Sequence, residues 1–96
     1  MASAPQVIDC PVGEWTKFAT NVVDAMVHVH PAFCGAAYIF TYRPTGDAAP
    51  DAGDRVLEGI PIFDNRAPHP VASRVGEGID GYIWCENEPG RVILYN

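Results

Sequence analysis

The chain has 96 residues, enough for one small domain and too few for two. Twelve acidic against six basic residues give a formal net charge of −6, which argues against a phosphate-backbone partner, and nine Gly with nine Pro leave little room for long helices. Hydrophobic residues make up 48 % of the chain, as in a globular domain, so a thin-cored, turn-rich fold is expected.

Residues 1–5, Met1-Ala2-Ser3-Ala4-Pro5, have neither the basic residues nor the apolar run of a secretion signal and are expected to form a flexible arm ahead of a single domain over residues 6–96. No stretch approaches the ~18 apolar residues of a membrane span. Gln6 to Cys10 reads as a short strand stopped by Pro11 and Gly13. Trp15 to Thr20 reads as a second strand, expected to form a hairpin with the first. From Ala25 to His30 the order Ala25, Val27, Val29 against Met26, His28, His30 has the two-residue period of a half-buried strand, closed by Pro31.

Ala37 to Arg43 is the clearest strand of the chain, with Tyr38, Phe40 and Tyr42 sharing one face. The segment from Pro44 to Gly59 carries Gly46, Asp47, Pro50, Asp51, Gly53 and Asp54 and reads as a long acidic surface loop of the kind that is usually functional or mobile. Glu58 to Phe63 and Pro70 to Val75 read as edge strands because proline interrupts or opens each of them. His69, between Pro68 and Pro70, reads as extended connector. Tyr82 to Glu86 and Arg91 to Tyr95 flank Glu88-Pro89-Gly90-Arg91, a composition suited to a type II turn and hence to a closing hairpin. No segment has a helical period. The expected fold is therefore all-β: a small antiparallel sandwich of about seven or eight short strands, jelly-roll or immunoglobulin-like in order.

Chemistry-bearing motifs are sparse. Cys10, Cys34 and Cys85 are odd in number, with no Cys-x-x-Cys, so they read as small buried or half-buried thiols of which at most one pair could bridge. His28-x-His30 has metal-ligand spacing on a strand. A cupin-like metal site would follow the pair with Glu three or four residues on, where Phe33, Cys34 and Gly35 stand instead, so two surface histidines are the plainer account. Asp47, Asp51, Asp54 and Glu58 lack the alternate spacing of a calcium loop. Ser3 and Ser73 sit in no nucleophile elbow, and Gly76-Glu77-Gly78 lacks the context of a phosphate loop. Neither a catalytic residue nor a cofactor or metal is assigned. The surplus of aromatic rings points instead to an interface, for which Trp15, Tyr38, Tyr42, Asp47, Asp51 and Asp54 are the candidates.

Several stretches carry a family resemblance: Trp15-Thr16 in an early strand, Thr45-Gly46-Asp47-Ala48-Ala49-Pro50 after an aromatic strand, Gly59-Ile60-Pro61, Asp80-Gly81-Tyr82-Ile83-Trp84, and Glu86-Asn87 followed by Pro89-Gly90-Arg91-Val92. Across residues 6–95 the chain resembles small bacteriophage virion structural proteins of the capsid decoration, or cement, type. The resemblance implies a non-enzymatic, self-associating β-sandwich, a trimer, that is assembled in the host cytoplasm and binds the major capsid protein or another virion protein on the outside of the shell. The residue 2–5 arm and the Pro44 to Gly59 loop are the implied contacts, with no nucleic acid and no membrane involved. A receptor- or carbohydrate-binding module of a head or tail appendage, stacking ligands on Trp15, Tyr38 and Tyr42, is the competing expectation.

Overall fold

The computed structural model describes residues 5–62, 65–72 and 77–95. Most of the N-terminal arm, together with Phe63 and residues 73–75 at the ends of two expected strands, lies outside them. The described residues form eight strands: β1 (Gln6–Cys10), β2 (Trp15–Val22), β3 (Asp24–Val29), β4 (Tyr38–Pro44), β5 (Ile60–Pro61), β6 (His69–Ala72), β7 (Ile79–Cys85) and β8 (Gly90–Tyr95). A 3-10 turn at Pro31–Phe33 and a single helical turn, α1 (Asp54–Leu57), complete them.

Each strand pairs antiparallel with the one counted from the opposite end of the chain: β1 with β8, β2 with β7, β3 with β6, β4 with β5. The chain is thus one long antiparallel ribbon wrapped around a core. Wrapping adds the β3–β8 and β4–β7 ladders and closes two four-stranded sheets, β1-β8-β3-β6 and β2-β7-β4-β5. That order makes the fold a jelly roll, the first of the two expected sandwich topologies.

Apart from β4 and β5, the wrap sends consecutive strands to opposite sheets, which overturns both expected hairpins. β1 and β2 do not pair, and neither do β7 and β8. Near the end of β2, at an irregularity in its pairing with β7, Asn21 has a φ of 52°, the left-handed conformation that asparagine tolerates; the chain leaves the second sheet after Val22 and enters the first at Asp24. At the other crossing Pro89 and Gly90 do not form the expected type II turn, because Gly90 begins β8. Its lack of a side chain serves packing instead: a Cβ there would lie 2.5 Å from the Tyr38 ring.

Two further expectations are corrected. Residues 44–59 are not a free loop without helix, since α1 forms within them, opened by Asp54, whose carboxylate accepts the Asp51 N–H at 2.8 Å. His69 is not connector but the first residue of β6, opposite Val27.

The core lies between the sheets and follows the two-residue period. Ala25, Val27 and Val29 of β3 face Val92 and Leu94 of β8, and Phe18, Phe40, Ile83 and Tyr38 fill the second layer, with the Phe18 and Phe40 rings 5.2 Å apart. Each buried Val, Leu, Ile or Phe side chain contributes on the order of 1.5–3 kcal/mol.

Candidate interaction surface

The two sheets differ on their outer faces. On β7, Ile83 and Cys85 point into the core while Tyr82 and Trp84 alternate outward, yet Trp84 is only 7 % exposed and Tyr82 4 %. Residues 51–58 and β2 side chains cover them. The Trp15 indole N–H donates to the Asp51 carbonyl at 2.8 Å, the Trp15 and Trp84 rings meet edge-on at 5.5 Å, and the Arg55 guanidinium lies over Trp84. Arg43 pairs with both Asp54 and Glu58, and the Thr41 hydroxyl donates to Glu58. The second sheet is therefore sealed by the chain's own 51–58 segment. The crest of that segment is apolar and open: Val56 and Leu57 are 80 % and 83 % exposed, and Ile60 in edge strand β5 is exposed beside them in sequence.

Asp80 anchors the same sheet at its lower corner. Its buried carboxylate accepts the Asn21 backbone N–H at 2.9 Å and the Thr45 hydroxyl at 3.0 Å, and pairs with Lys17 at 3.3 Å. The Asn21 N–H, then the Thr45 hydroxyl and Lys17, hold its pKa below the usual carboxylate value despite burial.

Among the described residues no comparable segment covers the exposed apolar positions of the first sheet. Its outward register rows run Val7, Ile93, His28 and Tyr95, Met26, Pro70. Of these, Val7, Met26, Pro70 and Tyr95 are exposed and Ile93 is half-buried. An antiparallel sheet that faces water normally alternates apolar inward with polar outward. Here both rows are mostly apolar, and Asp24, Ala25, Met26 and Tyr95 line an open depression at the sheet's end. The Asp9–Arg91 ion pair borders the face on the β1 side.

The expected interface residues scatter. Tyr38 is a core residue, 1 % exposed, whose hydroxyl donates to the Phe33 carbonyl and accepts the Arg91 N–H. Tyr42 faces inward beside Phe18, and burial pushes its pKa up to about 12. Both expectations fail because the aromatic face of β4 is the core face. Trp15 is half-buried and holds the 51–58 segment rather than presenting a free ring. Asp51 and Asp54 serve that segment's own folding, and only Asp47 stands as a simple exposed turn residue, its N–H bonded to Pro44.

The histidines part company. His28 lies on the outer face with Nε2 3.2 Å from the Arg66 carbonyl, whereas His30 Nδ1 accepts the Ala32 N–H and caps the 3-10 turn. Among the described residues no three His, Cys, Asp or Glu side chains come together as metal ligands.

Sequence reasoning missed the bare face because its residues come from β1, β3, β6 and β8, none adjacent in the chain order. The one available signal was Met26 and Tyr95 at outward positions of otherwise alternating strands. Fold and surface define a small jelly-roll β-sandwich in which, among the described residues, one sheet is covered by its own chain and the other presents an apolar outer face. Comparison with protein-family models, curated proteins and solved structures finds no match.

Proposed function

We propose that this chain is a non-enzymatic assembly protein, a phage capsid decoration protein that self-associates and stabilises a shell from outside. The observation that carries the reading is the apolar outer face of the first sheet, which no segment among the described residues covers as 51–58 covers the second, with Val7 paired to Ile93 and Met26 to Tyr95. Contiguous apolar surface of this kind marks an interaction site. A second copy of this chain is the occupant that fits: the face is nearly uncharged at its centre, so two copies meet there without opposing their net charge of −6. The crest of Val56 and Leu57, on the opposite side of the sandwich, leaves a separate contact for the shell. The sequence resemblance supports the virion setting, and jelly rolls are common in viral capsids, though a fold alone assigns no function.

The test is light scattering combined with binding to shells stripped of this protein. Wild-type protein is expected to form a defined oligomer and to rebind. Met26→Asp with Tyr95→Lys is expected to give a folded monomer, and Val56→Asp with Leu57→Asp an oligomer that no longer rebinds. A wild-type chain that is monomeric at all concentrations and ignores the shell would overturn the proposal.

A further inference from the structure

Cys10 and Cys85 belong to opposite sheets, yet the wrap brings them together. Cys10 ends β1 opposite Gly90, and the residues after it run beside β7: Val12 bridges Cys85 in parallel, and the Gly13 N–H donates to the Cys85 carbonyl at 3.0 Å. Both side chains enter the same core cluster, 1 % and 0 % exposed, and both are free thiols. The two thiols are thus core neighbours, close enough that each shifts the ionisation of the other.

We infer that Cys10 and Cys85 are a modification site, a dithiol poised to close into a disulfide that staples the two sheets when a peroxide is the oxidant. In the first step the Cys85 thiolate attacks one peroxide oxygen. The O–O bond breaks, Cys85 becomes a sulfenic acid, and the departing oxygen takes a proton to leave as water. In the second step the Cys10 sulfur attacks Cys85 Sγ. The S–S bond forms, the sulfenic hydroxyl leaves, and the Cys10 proton completes a second water. Two thiols and one hydrogen peroxide thus give one disulfide and two waters.

The division of labour follows from the surroundings. The neighbouring Cys10 thiol favours ionisation of Cys85, whereas the neighbouring Cys85 and then burial keep Cys10 protonated, with its thiol donating to the Ile8 carbonyl at 3.6 Å. A small oxidant suits the burial. Both thiols are buried, and the exposed segment 11–14 that pairs with the Cys85 backbone is a place where local opening can begin. Cys34, half-buried with its thiol 3.9 Å from the His30 and Asn65 carbonyls, stands outside the pair.

The experiment treats folded full-length protein with hydrogen peroxide, then alkylates it without reductant and maps the peptides by mass spectrometry. The expected product has lost two hydrogens, carries a Cys10 to Cys85 crosslink, and leaves Cys34 alkylated. Its Tm is expected to rise by on the order of 10 °C, because the crosslink encloses most of the chain, and to return on reduction. Cys34→Ser should crosslink as the wild type does, while urea-unfolded protein should give mixed pairings. A crosslink that includes Cys34, a disulfide between molecules, or two thiols still alkylated after treatment would each overturn the inference.

Discussion

The Arg55 guanidinium sits 4.8 Å from the centre of the Trp84 ring while its Nε donates to Glu86 at 3.0 Å, so one side chain clamps α1 onto the second sheet. Arg55→Ala is expected to loosen the covering segment and wet the indole. In a Trp15→Phe background, which isolates Trp84, emission should shift to the red and become more quenchable, with about 1 kcal/mol of stability lost by urea titration. Unchanged emission would show that the segment is held without the stack.

Asp80 makes stability depend on acid. Its folded pKa is depressed, chiefly by the Asn21 N–H, so its contribution is fully present above the unfolded carboxylate value near 4 and is lost as pH falls through the folded pKa. Urea midpoints measured from neutral pH downward should decline in that acid window for the wild type and more shallowly for Asp80→Asn. Asp80→Ala removes the acceptor for a backbone N–H and is expected to cost about 1–3 kcal/mol at neutral pH.

Two tyrosines set the alkaline limit. Burial pushes Tyr38 and Tyr42 up to about 12 from an ordinary value of 10.0. Their contribution is therefore complete below the unfolded value and lost as pH rises through the folded one. Absorbance titration of phenolate should show these two rings ionising late, together with unfolding. Tyr42→Phe should remove one late-titrating group.

Glycines separate close packing from open turns. Gly90→Ala places a methyl 2.5 Å from the Tyr38 ring and is expected to cost about 1–3 kcal/mol, as overpacking does. Gly53→Ala meets nothing within 4 Å and has ordinary helical φ and ψ, −68° and −20°. It should be neutral or raise stability by about 0.4–1 kcal/mol. Chemical denaturation of the two variants beside the wild type checks both.

Strand identity was legible along most of the chain because β1, β3, β4 and β8 carry a two-residue period that burial of one face enforces. Strand partnership was not. Proline and glycine at 89 and 90 mark a change of direction, and a tight hairpin and a crossing between sheets demand the same composition there. The aromatic stripe of β4 was read correctly as one face, but nothing in its residues says whether that face meets the core or a partner. Tyr82 and Trp84 held the missing clue. A strand apolar on both sides must be covered on both, and the cover was the acidic segment read as a free loop.

The pairing of first strand with last has a kinetic side. Gln6 meets Leu94 only after everything between them has been brought into place, so the outermost ladder carries the largest loop-closure entropy in the fold. Folding should therefore proceed outward from β4–β5 on the slow millisecond-to-second scale of non-local β-proteins. During that interval the edge of β8 and the apolar side of the first sheet stand open together, and newly made chains in high concentration can meet one another before they have finished folding.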